Sequence, residues 1–390
     1  MSDKRKRRKA KQARRDARRM RSARREQPEE FHLVDAVREA LASEHPLELL
    51  STVSMIIEAT EPGQDLLLQS EESEVIGLDE LVDSFIDVRV PETTALLAVL
   101  SEMVDDEVLQ LRCQRELSTR EDDLPSWITD LGQTHIDRVV RMTHVLGDGD
   151  ELMLSVRLPI DQELTCAVYI DHALTSEVSD AFFVPASLEE VLDVAKRSRT
   201  DPDTFFVEMS LADARAWMRR GVEVDGLLSG LQESDTWPAS RPLLRWLARL
   251  LPEGGSGYQT PSLDTAELDD LFDKFFASPA GMRFDDDDHR KLLQICVDDG
   301  TGDPLRWSAR RLQDLPDALL PLEECFYDPT DVVNCVLDLP DLMRAYVPFA
   351  HAVSGIREEL TAEAQAAIDE IEPEYREMVM EEARYLDDES

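Results

Sequence analysis

The stretch Asp137–Asp171, DRVVRMTHVLGDGDELMLSVRLPIDQELTCAVYID, decides the fold. Three runs rich in β-branched and apolar residues, DRVVRMTHVL, ELMLSVRL and ELTCAVYID, are cut by two four-residue turn clusters, GDGD and PIDQ. That pattern predicts an antiparallel meander. AFFVP (181–185) adds a candidate fourth strand, ended by Pro185. Two helical patterns follow, SLEEVLDVAKRS and SLADARAWMRRGV. Ser187 and Ser210 sit at their starts as N-caps, each with an acid three residues on, Glu190 and Asp213. Strands and helices segregate instead of alternating, which is the mark of an α+β chain.

Upstream of the meander the apolar spacing is helical. Leu33, Val34, Val37 and Leu41 form one stripe, and Pro46 opens a second helix through Leu49, Leu50, Val53, Ile56 and Ile57. Residues 61–77 read as a loop before LDELVDSFIDV, ETTALLAVLSEM and DEVLQLRCQREL. Downstream, PEGGSGYQTPS (252–262) has linker composition, and helical patterns resume behind it. The expected organisation is a disordered basic tail (1–28), a helical domain (29–118) and an α+β domain with a three- or four-stranded meander (119–251). A linker (252–262) and an acidic helical domain (263–390) complete it. The predicted fold is thus mostly α-helical α+β, with helical N- and C-terminal domains around a small antiparallel meander. No fixed-period repeat occurs.

GDPLRWSARRLQDL, with DLMRAYVPFAHAV some thirty residues later, resembles a helical module of uncharacterised actinobacterial proteins. The central RVVRMTHVLGDGDELML, ELTCAVYIDHAL and DTWPASRPLL resemble the same group, over about residues 125–355. The resemblance implies a lineage and no known activity.

Charge is the clearest functional clue. Residues 1–25 hold fourteen Lys and Arg against two acids, a net of +12; the remaining 365 residues hold 28 basic and 81 acidic side chains, a net of −53. Clustered cations release counterions from a phosphate backbone without reading sequence. The candidate nucleic-acid contacts are Lys4, Arg5, Lys6, Arg7, Arg8, Lys9, Lys11, Arg14, Arg15, Arg18, Arg19, Arg21, Arg24 and Arg25. A solubilising tail, or an arm folded onto the acidic body, accounts for the same composition. An acidic body is repelled by DNA, RNA and anionic lipid, so any nucleic-acid contact runs through the tail.

No catalytic motif stands out. Five scattered cysteines without CxxC spacing suit a reduced, cytoplasmic setting. The basic start lacks the apolar stretch of a secretory signal, and no apolar run reaches membrane-spanning length. GDGD lacks the closing Glu of a calcium loop, since position twelve from Asp148 is Pro159. DDDDH (285–289) reads as a helix start facing the positive end of the macrodipole. His144, Asp171 and His172 lie at strand ends near one rim and are the weak candidates for catalysis. If 144 pairs with 153 and 153 with 168, the two histidines share a face about 16 Å apart, and Asp171 faces the other way. That spacing argues against a shared metal, so no metal and no cofactor is expected.

The leading expectation is a non-enzymatic binding or adaptor protein. Its basic tail contacts RNA, DNA or the ribosome, its acidic helical body contacts a protein partner, and no membrane is involved. The alternative is an enzyme with a pocket where the meander meets the following helices.

Overall fold

The meander folds into a five-stranded antiparallel sheet of order β4-β3-β2-β1-β5. Its strands are β1 (His135–His144), β2 (Gly149–Leu158), β3 (Gln162–Asp171), β4 (Glu177–Val184) and β5 (Thr204–Met209). The structure is a computed structural model that describes residues 33–60, 77–173, 176–198, 201–228, 237–319 and 329–389. The fourteen tail candidates, from Lys4 to Arg25, lie outside the described residues, as does Cys325.

Fifteen α-helices surround the sheet among the described residues, which makes the fold mostly helical α+β. The N-terminal set is α1 (Leu33–Leu41), α2 (Leu47–Thr60), α3 (Leu78–Asp87), α4 (Pro91–Met103), α5 (Glu107–Leu117) and the single turn α6 (Ser126–Thr129). The central set is α7 (Leu188–Ser198), α8 (Leu211–Leu228) and α9 (Trp237–Leu250). The C-terminal set is α10 (Thr265–Phe276), α11 (Asp287–Asp298), α12 (Ala309–Leu319), α13 (Pro329–Leu337), α14 (Leu339–Ser354) and α15 (Glu358–Glu389).

The sheet exceeds the three- or four-stranded meander expected from sequence. The fifth strand, TFFVEM, lies between α7 and α8 and pairs with β1, with Val139 opposite Met209 and His144 opposite Thr204. Six residues between two strong helical patterns give a weak signal. Their β-character emerges because β1 offers an open edge.

Alternation along the strands sends two sets of side chains to opposite faces. One face carries Val139, Leu152, Leu154, Cys166 and Val168, all buried in a core that also takes in α1–α5, α8 and α9. That apolar core includes residues on both sides of 118/119, from Val37 to Leu251. The opposite face places Val140, Met153 and Ala167 under Leu188 and Leu192 of α7. The C-terminal helices enclose a separate core built on Phe272, Phe275, Trp307 and Tyr346.

Local chemistry explains several element ends. Ser187 accepts from the Glu190 N–H while Glu190 accepts from the Ser187 N–H, a reciprocal cap at the start of α7. Asp286 caps α11 by accepting from the His289 N–H at 3.0 Å, so DDDDH begins a helix. Pro242 interrupts α9, and the buried Ser54 hydroxyl of α2 enters the gap. It donates to the Ala239 carbonyl at 2.6 Å and accepts from the Leu243 N–H at 3.1 Å.

Arg311 is 1 % exposed, and no carboxylate among the described residues is hydrogen-bonded to it. It donates to the carbonyls of Cys296, Val297 and Asp299 at the end of α11 and to those of Asp303 and Arg306. Its guanidinium lies 3.9 Å from the centre of the Trp307 ring. This arrangement accounts for Arg311 and Trp307 in the GDPLRWSARR segment: one cation satisfies carbonyls that a helix end leaves unpaired.

The glycine-rich linker has no helix or strand, as its composition predicts, but it is fastened to the body. The Ser256 N–H donates to Asp213 at 2.7 Å and Arg215 donates to the Leu251 carbonyl at 2.5 Å. A Cβ at Gly255 would meet the Ala212 carbonyl oxygen at 2.0 Å, so only glycine permits this approach to the start of α8.

Candidate functional site

The three strand-end candidates do not converge on one centre, because the register differs from the sequence reading. Val140, not His144, pairs with Met153, and Met153 pairs with Ala167, not Val168. The turn occupies residues 145–148, ahead of the position expected for it, so His144 has no partner on β2. The one-residue difference between β2 and β3 exchanges the faces of every β3 side chain. His144 and Asp171 therefore share a face, and His172 follows β3 on the other.

On the first face, His144 meets acids from the connection between α7 and β5. Its Nε2 lies 3.3 Å from Asp201, and one atom each from His144, Asp201 and Asp203 can be drawn from within 4.8 Å of one another. The spacing suits a cation, but the donors are committed. The Leu146 N–H points to His144 Nδ1 at 3.2 Å, which puts the ring proton on Nε2, facing Asp201. Arg357 holds both oxygens of Asp203 at 2.9 Å. The cluster is a hydrogen-bonded joint between the sheet rim and the start of α15. Sequence reading missed Asp201 and Asp203, since the β5 pairing that brings them to His144 was not foreseen.

Asp171 is 3 % exposed and is neutralised by Arg310 of α12 at 2.6 Å. A cleft of about 240 Å³ is lined by Met142, Thr143, His144, Asp148, Gly149, Glu151, Tyr169 and Thr204. Burial pushes the Asp148 carboxyl above its usual range, against the pull of Ser308, Arg310 and Arg311. One buried oxygen of Asp148 has no hydrogen-bond partner. Burial, helped by Asp180, also pushes Glu151 up, and burial raises Tyr169. In each of these groups burial favours the neutral form.

On the second face, His172 is 3 % exposed. Its Nε2 lies 3.0 Å from Asp150, itself 3 % exposed, and its Nδ1 lies 3.1 Å from the Ser176 hydroxyl. Tyr258 of the linker stacks on the imidazole with ring centres 3.6 Å apart and planes within 6°. The edge of Trp217 completes the enclosure at 5.7 Å. Burial works to raise the Asp150 carboxyl, but the His172 hydrogen bond and the Arg141 charge outweigh it, so it lies below its usual range.

A larger hollow of about 550 Å³ lies between the N-terminal helices and α9. Its polar groups are largely engaged: Asp106 caps α5, and Arg249 donates to the Met103 carbonyl at 2.6 Å and faces Asp105 at 3.6 Å. Cys113, Cys166, Cys296 and Cys335 are free and buried, and burial pushes each thiol upward, Cys113 to about 11. Thiols so placed are poor nucleophiles. Among the described residues no helix is long and apolar enough to cross a membrane.

A comparison of the chain with protein-family models, with curated proteins and with solved structures finds no match.

Proposed function

We propose that the protein works by binding, with residues 1–25 engaging the phosphate backbone of RNA, DNA or the ribosome and the acidic body engaging a protein partner. The observation that carries this reading is the charge division: +12 in the first 25 residues against −53 in the rest. The body's arginines support it by where they are spent. Arg120, Arg249 and Arg311 donate to backbone carbonyls. Arg138, Arg157, Arg290, Arg310, Arg344 and Arg357 face carboxylates. Cations held in this way are poorly placed to bind phosphate.

The alternative, an enzyme with a pocket at the junction of meander and helices, draws support from the cleft bordered by His144, Asp148, Glu151 and Tyr169. Its volume falls below the usual range for organic ligands, about 300–1,000 Å³.

Fluorescence anisotropy with labelled single-stranded RNA and duplex DNA tests the binding reading, using the full chain and a variant lacking residues 1–25. The full chain is expected to bind both, with affinity falling steeply as salt rises, and the truncated chain to bind neither. Equal affinity of the two proteins, or affinity indifferent to salt, overturns it.

A further inference from the structure

We propose that Asp150, His172 and Ser176 form an acyl-transfer relay, with Ser176 as the nucleophile and the Tyr258 ring as its cover. The proposal concerns the body and does not depend on what the tail binds.

The geometry has the order that nucleophilic serine chemistry needs. Asp150 lies 3.0 Å from one ring nitrogen of His172, and Ser176 Oγ lies 3.1 Å from the other. An ionised Asp150 accepts the Nε2–H. That fixes the tautomer and leaves the Nδ1 lone pair aimed at the serine hydroxyl. Which ring nitrogen faces which partner is immaterial to the chemistry; what counts is one oriented acid, one base and one hydroxyl in line.

The backbone at Ser176 separates this cluster from an ordinary buried network. Ser176 has φ 58°, a left-handed conformation that a non-glycine residue adopts at some cost and that recurs at functional sites. One oxygen of Asp150 is buried with no hydrogen-bond partner among the described residues, as is one of Asp148, and Arg141 lies 3.5 Å from the other Asp150 oxygen.

Ser176 is 8 % exposed, so access has to be opened. The group lying on the His172 imidazole is an aromatic ring carried by a segment without secondary structure, 252–262. A few polar contacts hold that segment, from Ser256 to Asp213 and from Arg220 to the Tyr258 carbonyl. A substrate that takes the place of the ring meets Trp217 on one side and His172 on another. This surrounding, with Arg141 5.4 Å from the centre of the Trp217 ring, suits an aryl or short-chain ester.

The reaction balances with water as the second substrate. Ser176 Oγ bonds to the ester carbonyl carbon while its proton passes to His172 Nδ1. The tetrahedral adduct collapses, the bond from carbon to the alcohol oxygen breaks, and that oxygen takes the proton from His172. Water then attacks the acyl-serine with His172 again accepting a proton. The carboxylic acid leaves and Ser176 regains its hydrogen.

The experiment uses the full chain with a biotinylated fluorophosphonate and with p-nitrophenyl acetate, read by intact mass, peptide mapping and release of p-nitrophenol. One adduct on the peptide containing Ser176 is expected. Tyr258→Ala is expected to speed labelling, while His172→Gln and Asp150→Asn slow it by about 100-fold or more, the usual weight of a positioned base. Peptide mapping of the unmodified sequence locates the adduct even if Ser176→Ala does not fold. No adduct in both the unmodified chain and folded Tyr258→Ala, or an adduct on another residue only, overturns the proposal.

Discussion

At the scale of single residues, stability is governed by polar groups placed where water does not reach. His351 is 1 % exposed. Its Nε2 accepts from the Trp307 N–H at 3.3 Å, and its Nδ1 lies 2.8 Å from the Thr361 hydroxyl. Burial holds its pKa below the usual histidine range, so the folded state favours the neutral ring. A depressed folded pKa means that this contribution is complete above the unfolded value, near 6.5, and is lost as pH falls below it. The stability difference between the unmodified chain and His351→Gln, measured by urea unfolding, should therefore shrink between about pH 7.5 and pH 5. A constant difference would refute the assignment. Ile160 presents the opposite case. It sits in the β2–β3 turn at φ 59°, where a β-branched side chain is strained, and is 55 % exposed. Ile160→Asn should raise the urea midpoint, with a gain of about 1 kcal/mol.

At the scale of elements, composition and docking have to be separated. PEGGSGYQTPS has the composition of a flexible connector, yet Gly255 lets it lie against α8, and Tyr258 anchors it on His172. Gly255→Ala should cost about 1–3 kcal/mol by forcing the strap away from Ala212. Limited proteolysis should then cut within 252–262 faster than in the unmodified chain. Equal cutting rates would show that the contact does not restrain the segment. The irregular conformation of this stretch was legible in the sequence; its attachment was not, since the contacting residues, Ala212, Asp213 and His172, are distant in sequence.

At the scale of the whole molecule, the core shared by the sheet and the N-terminal helices is joined to that of the C-terminal helices by charged contacts. Arg310 of α12 meets Asp171 of β3, and Arg357 beside α15 meets Asp203 before β5. Both acids are largely buried, and each would be left without its cation if the two parts separated. Changing both arginines to alanine should loosen the joint. Differential scanning calorimetry should then resolve two transitions, closer to one in the unmodified chain. An unchanged single transition would mean that the cores unfold together for another reason.

The sequence by itself determined the α+β class, the meander, the caps at Ser187 and Ser210, the helix start at DDDDH and the division of charge. These follow from local periodicity, from residues that satisfy nearby backbone groups and from composition, all of which act over a few positions or none. The tertiary structure decided the strand register, the fifth strand and the fate of each candidate residue. Register depends on where a turn closes, and one residue of difference exchanges the two faces of a strand. That is why His144 meets Asp201 and Asp203, why Asp171 meets Arg310, and why His172 lies on the other face with Asp150 and Ser176. Ser176 and Tyr258 carry no local signature, because their roles arise only when a strand end, a helix and a distant strap are packed around one imidazole.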